Sequence, residues 1–263
     1  MMQSLFFIGD RPGFTPQISR LIGMMNYARV TTIDMVRGAS VADLDYLVTS
    51  DGNSLGMLLE HIAAVEVGYQ GFTFDGNDDW DAMMGERWAA GGQLGALGRE
   101  KIRGHPLSYY LENLRTVRAK TLAEFARRDD AWLEEEVAFW GTTGNRYFAW
   151  FHVFEDEINH RGQMRLIHKA LPSQQNRGVL GLGFVAAHED GTGLWIDHVS
   201  PDSPAQAAGL EVGDEITAID GVDVQHTPYD EISVGGPAHS SVKFTVQRGE
   251  QRLEVRLTQA SQT

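Results

Sequence analysis

Residues 151–171, FHVFEDEINHRGQMRLIHKAL, decide how the first half of the chain is read. Steps of four residues lead from His152 to Asp156 to His160. On a helix, three side chains able to titrate or to ligate a metal therefore lie one above another. At 100° per residue they share a sector about 80° wide, while Tyr147, Phe151, Phe154 and Ile158 fall on the other side. An aromatic side opposite a polar one is also the pattern of any half-buried helix whose polar side is simply solvated. What the rest of the chain brings to the polar side settles the matter.

Three further helical patterns precede this one. The first opens at Thr15-Pro16, an N-cap followed by proline at the first helical position. It carries Ile18, Leu21, Ile22, Met25, Ile33 and Val36 along one side. The second follows Ser54 with Leu55, Leu58, Leu59, Ile62, Val65 and Tyr69. The third starts at Pro106 with Leu107, Tyr110, Leu111, Leu114, Val117, Leu122 and Phe125. The fourth runs from about Asn145 to Leu171. The long connection 71–105 makes this a four-helix bundle with one long crossover. Within that connection, GGQLGALGRE (91–100) lacks GxGxxG spacing and follows no strand, so it does not read as a phosphate loop.

Beyond Arg177 the rhythm changes to short β-type runs broken by Gly, Asp and Pro. The join LPSQQNRG (171–178) is polar and places Pro172 where a helix should stop. The predicted domains are therefore 1–172 and 173–263. Strands are expected near 178–187, 194–199, 215–219, 242–247 and 253–258. Short helices are expected from Ser203-Pro204 to Ala208, ended by Gly209, and over Pro228–Ser233. The predicted fold class is multidomain α plus β: a four-helix bundle followed by a compact β-barrel-like module with two short helices.

Composition narrows the function. The chain has 263 residues, is 42% hydrophobic and carries a net charge of −14. That acidity disfavours nonspecific nucleic-acid binding, which depends on Lys and Arg against phosphates. The absence of cysteine excludes disulfides, thiolate metal sites and cysteine nucleophiles. The start MMQSLFFIGDRPGF does not read as a signal peptide, and no apolar run is long enough to span a membrane. A cytoplasmic protein with neither membrane nor nucleic-acid partner is the expectation.

His61 lies in LGMLLEHIAAVEVGY (55–69). Its helical neighbours Met57, Leu58, Ala64, Val65 and Gly68 form an apolar, small-residue surface, so His61 should point inward. A lone inward histidine is usually a hydrogen-bonded core residue. If the second helix packs on the 152/156/160 stripe, however, His61, Asp156 and His160 become a two-His, one-carboxylate set with coordination positions left open.

The segments LLEHIAAVE (58–66), YYLENLRTVRAKTLAEFARRDD (109–130) and FHVFEDEINHRGQ (151–163) resemble the DinB-like (YfiT-like) metal-binding bundle family, over about residues 15–171. The resemblance implies a divalent metal held by His61, Asp156 and His160, with His152 as an alternative ligand. Gln163, on the same side, is expected to orient a ligand. Many relatives have histidine where Asp156 stands. Zinc or nickel is the first expectation, manganese or iron the second, since carboxylate is the harder ligand. The implied activity is a metal-dependent hydrolase or a transferase of low-molecular-weight thiols such as mycothiol or bacillithiol, acting on a small-molecule substrate. No catalytic residue is assigned. Glu60 and Glu157 are candidate proton shuttles, and Arg161 is expected in a structural ion pair.

The run RGVLGLGFVAAHEDGTGLWIDHVSPDSPAQAAGLEVGDEITAIDGVDV (177–224) resembles a bacterial HtrA-type PDZ domain, over about residues 177–259. Such domains bind a peptide or protein C-terminus by adding it as a strand. The carboxylate loop lies within Leu180, Gly181, Leu182, Gly183 and Phe184, in either of two registers. No protease motif accompanies it. Residues 173–263 hold five Lys or Arg against thirteen Asp or Glu, so peptides with an apolar end and basic residues upstream are expected. The aromatic side of the fourth helix predicts a homodimer. The competing reading is a non-enzymatic adaptor, its bundle a dimerisation scaffold and its PDZ domain the working part.

Overall fold

The computed structural model describes residues 6–175, 177–188 and 191–261, apart from the side chains of Gln175 and Asp230. The chain divides into two compact units, the first ending at His168 and the second beginning at Lys169.

The helical unit contains α1 (Pro16–Asp34), α2 (Val41–Leu44), α3 (Leu55–Phe74), α4 (Trp80–Gln93), α5 (Gly95–Lys101), α6 (Leu107–Phe125), α7 (Asp130–Glu134), the hairpin β1 (Glu136–Phe139) and β2 (Thr142–Asn145), and α8 (Arg146–Ala170). The four long helices are those the apolar stripes predict. Ser54 caps α3 through its hydroxyl, which accepts from Met57 N–H at 3.2 Å. Thr15 makes no such cap on α1. Its hydroxyl bonds Asp130, whose carboxylate accepts instead from Gln17 N–H at 3.0 Å. The helix start is thus satisfied from α7, a partner distant in sequence.

Ile18, Leu21, Met25, Val65, Phe125, Trp150 and Phe154 belong to one buried core. Phe154 is buried and Tyr147 packs against the same core, so the aromatic side of α8 is partly covered within the unit. Phe151 and Phe148 stay exposed. The long connection 71–105 carries α4 and α5. Glycines let α4 approach α3: a Cβ on Gly91 would lie 3.0 Å from Glu60 O, and one on Gly68 would lie 2.3 Å from the Trp80 ring. Here the glycines serve close helix packing.

Charged groups also tie the four long helices together. Arg29 on α1 donates to Glu157 on α8 at 2.9 Å and to Glu66 on α3 at 3.1 Å. Arg118 on α6 donates to Glu66 at 2.8 Å, and the Thr121 hydroxyl does so at 2.6 Å. All five residues are buried. Burial would raise the Glu66 carboxyl, but Arg118 and Arg29 outweigh it and hold the group at about 2.

The second unit contains α9 (Pro172–Gln175), β3 (Gly178–Val179), β4 (Leu182–Val185), β5 (Leu194–Val199), α10 (Pro204–Ala207), β6 (Glu215–Ile219), β7 (Val222–Asp223), a 3₁₀ turn (Tyr229–Glu231), β8 (Ser241–Arg248), β9 (Gln251–Thr258) and β10 (Ala260–Ser261). The main sheet runs β4-β5-β6-β8-β9, with β7 beside β6 and β10 paired to β3. It does not close, which corrects the barrel expectation: β4 and β9 remain edges among the described residues. The strand expected over 178–187 breaks at Leu180-Gly181. Gly181 has φ +75°, and a Cβ there would lie 2.2 Å from that of Ser203. Ser203 caps α10, accepting from Gln206 N–H at 3.2 Å. The second expected helix is reduced to the single 3₁₀ turn. Leu194, Ile196, Ile216, Phe244 and Val246 centre this unit's own core. No helix among the described residues is long and apolar enough to cross a membrane.

Candidate metal centre

α3 supplies His61, and α8 supplies Asp156 and His160 one turn apart. One ligand-capable atom from each lies within 4.8 Å of the others. His61 Nε2 is 3.7 Å from Asp156 Oδ2, and His160 Nε2 is 3.4 Å from Asp156 Oδ1. The two imidazoles meet edge to face, ring centroids 4.6 Å apart. Ligand atoms about 2.1 Å from a tetrahedral ion stand about 3.4 Å from one another, so the spacing suits a shared cation.

Hydrogen bonding determines how His61 presents itself. Its Nδ1 lies 2.8 Å from the Gly91 carbonyl. A carbonyl only accepts, so Nδ1 carries the proton, and in the neutral ring Nε2 offers its lone pair to Asp156. A ligating histidine is held in this way by a second bond on its far nitrogen. Burial is the main force pushing the His61 ring below its ordinary value; the Gly91 carbonyl opposes the shift, His160 adds to it and Asp156 opposes it. Burial would raise the Asp156 carboxyl, yet His160, with His61 and His152, holds it below the usual carboxylate range. A neutral imidazole facing a carboxylate places two acceptors opposite each other. Asp156 Oδ2 is buried with no hydrogen-bond partner, the chemistry of a site suited to a cation rather than of a satisfied core.

The other candidates fall differently. His152 is outside the cluster, its Nδ1 3.0 Å from Glu155. Gln163 lies in the ligand sector of α8 but is exposed, and the His160 Nδ1 it could have oriented has no partner. Neither proposed shuttle is free. Glu157 is clamped by Arg29, and Glu60 by Arg87 and by Asn113 at 3.0 Å. Arg161 reaches the Thr31 hydroxyl rather than an acid. Gly91, whose carbonyl holds the His61 ring, is the position of the candidate site that sequence reasoning missed. Its cue was a glycine pair inside a helical stretch, a mark of close backbone approach.

In the second unit, Ile196 donates its N–H to Asp214 O and accepts from Gly213 N–H, both at 2.9 Å, so it faces away from β4. Its register partner Phe184 therefore turns its own N–H and C=O to the open edge. That carbonyl accepts from the Tyr229 hydroxyl at 2.6 Å. Leu180 is buried in the core, while Leu182 and Phe184 pack partly against it.

The helical unit is thus a bundle with a cation-ready cluster between two of its helices, and the second unit a sheet with an open edge. The sequence profile of the mycothiol-S-transferase family matches residues 20–171, and that of the PDZ domain matches residues 195–248. The chain belongs to the mycothiol-S-transferase family and carries a C-terminal PDZ domain. No curated protein matches it. Among solved structures, the HtrA-type protease AlgW with a decapeptide is similar at 19% identity and TM-score 0.28, over 46% of this chain and 36% of that one. The HtrA3 PDZ domain bound to a phage-derived ligand is similar at 20% identity and TM-score 0.25, over 31% and 83%. The photosystem II D1 C-terminal processing protease is similar at 18% identity and TM-score 0.34, over 82% and 45%. The chain spans less than half the length of either protease.

Proposed function

We propose that the helical unit is a divalent-metal-dependent transferase of a low-molecular-weight thiol, its ion held by His61, Asp156 and His160. A bound ion would lower the pKa of a thiol or water and supply a nucleophile at neutral pH. The chain's own residues do the remaining work. The Gly91 carbonyl fixes the His61 tautomer, and the Asp156 carboxylate bridges both imidazoles. The absence of any fourth His, Asp or Glu from the cluster among the described residues leaves room for a thiol and a small-molecule substrate. Zinc or nickel fits the two imidazoles, while the carboxylate also admits manganese or iron. The observation that carries this reading is the unpartnered Asp156 oxygen facing the His61 lone pair. Metal analysis of tag-free protein should find about one ion per chain, and His160→Ala should lose it while staying helical. A metal-free wild type, after purification without chelators and after reloading attempts, would sink the proposal.

The PDZ unit supports a recruiting or regulatory role. β4 offers an edge for strand addition, with Leu180-Gly181 as the loop before it. The unit's acidity favours peptides with basic residues upstream of an apolar end, mainly through association rate. Exposed Phe148, Phe151 and Ile158 on α8 support a homodimer, which sedimentation checks.

A further inference from the structure

Between α3, the start of α4 and the hairpin lies a cavity of about 310 Å3 whose walls are mostly rings. Tyr69 and Phe72 come from α3, Trp80 from the start of α4, and Phe139 and Trp140 from the hairpin. Tyr69 stands 6.3 Å from Phe139 and 6.4 Å from Trp80, centroid to centroid, and Phe72 is 6.1 Å from Phe139. Asp78 is a carboxylate at the lining, and no Lys or Arg is among the lining residues. Asp78 is exposed and has no ion-pair partner among the described residues.

Two features mark the cavity as more than a packing gap. Phe139 pairs with Thr142, so Trp140-Gly141 is a two-residue hairpin loop. Trp140 has φ +48° and Gly141 φ +80°. Such a loop prefers Asn-Gly or Asp-Gly, and a bulky side chain at its first position is strained. The strained residue is also 74% exposed. A large ring is thus held in water, over the cavity, at a conformational cost that folding alone does not require. The cavity wall also meets α8 on the turn before the cluster. The His152 ring is 5.8 Å from Tyr69 and 5.0 Å from Trp140, and His152 is one helical turn before Asp156, a rise of about 6 Å.

We infer that Tyr69, Phe72, Trp80, Phe139 and Trp140, with Asp78, form an aromatic cage for a methylated ammonium group of the small-molecule substrate. Ring faces carry negative potential and attract organic cations too weakly hydrated to resist desolvation. The single carboxylate and the absence of basic residues exclude an anionic occupant by the same electrostatics. A neutral apolar occupant would gain from the rings but not from Asp78. The cage stands by itself as a cation site; only the description of its occupant as substrate rests on the metal-dependent reading above.

The test uses the full chain stripped of metal with chelator, titrated with choline and with its neutral carbon isostere 3,3-dimethyl-1-butanol, read by tryptophan fluorescence and calorimetry. Choline should bind at least about tenfold more tightly than the isostere. Trp140→Ala, at an exposed hairpin tip, should weaken choline by about tenfold or more with far-UV dichroism unchanged, and Asp78→Asn by a few-fold. Equal binding of the two probes would reduce the cage to an apolar pocket and overturn the inference. So would the absence of choline saturation by about 10 mM, tenfold above a millimolar Kd. Metal content measured on the same preparations before chelation separates the outcomes. Stoichiometric metal without choline binding removes the cage and spares the metal reading; choline binding without metal does the reverse.

Discussion

Two polar clusters sit on the same pair of helices, and they are built differently. Glu66 of α3 and Glu157 of α8 enter a charge-balanced network with Arg29 and Arg118, two positive charges against two negative, with every carboxylate oxygen met by a donor and Arg118 Nη1 left without a partner. His61 of α3 and Asp156 of α8 enter an open one, in which Asp156 Oδ2 faces the His61 lone pair with no donor between them and His160 Nδ1 has no partner. Buried polar groups in proteins are nearly always satisfied. The charge-balanced cluster therefore reads as the lock that fixes the register of the helices, and the open one as the place where an ion completes the bonding.

The comparison breaks first at Glu66. Glu66→Gln leaves Arg29 and Arg118 buried without their counter-charge and should cost about 3–5 kcal/mol in urea unfolding. The acid limb sharpens the point. Because the folded-state pKa of Glu66, about 2, is depressed from the ordinary 4.5, its contribution is present above about pH 4.5 and lost as the pH falls towards 2. Wild-type stability should decline through that window more steeply than that of the variant. Equal acid limbs would show that the network does not lock the fold.

In the open cluster, Asp156→Asn should behave in the opposite way. It removes a charge that meets only imidazoles and no Lys or Arg among the described residues, so metal-free stability near neutral pH should move by less than about 1 kcal/mol. What it should abolish is the gain on adding metal, about 2.7 kcal/mol at a hundredfold excess over Kd. A large loss of stability in the metal-free variant would make Asp156 a structural residue. Gly91→Ala comes next. Its Cβ would press on the Glu60 carbonyl and shift the support of His61, and metal affinity should fall by about 10–100-fold with the ligands intact. Unchanged affinity would show that the Gly91 carbonyl does not matter.

The smallest effect is expected in the PDZ unit, at a satisfied group that binding must open. An added strand needs the Phe184 carbonyl that Tyr229 now occupies. Tyr229→Phe removes one neutral hydrogen bond, worth about 0.5–1.5 kcal/mol, and should tighten peptide binding by about twofold to tenfold. Weaker binding would mean that the hydroxyl contacts the peptide instead.

What could be read from the sequence was whatever depends on neighbours along the chain. The four apolar stripes, the Ser54 and Ser203 caps and the Gly209 stop are set by helical periodicity and local hydrogen bonding. The four-residue spacing that stacks Asp156 under His160 has the same origin. His61 could be named as a candidate because its own helical surroundings are apolar, but nothing local says which helix it faces. That was decided by the Arg29–Glu66–Arg118–Glu157 network, which joins residues up to 128 positions apart, and by glycines on α3 and α4 that let the two backbones touch. The same long-range packing gave α1 its cap from Asp130 and clamped both proposed shuttle acids. It also drew rings from 69–80 and 139–140 around one cavity. Side chains that meet only after folding leave no period in the sequence, because the energy that selects them is paid across the core rather than along the chain.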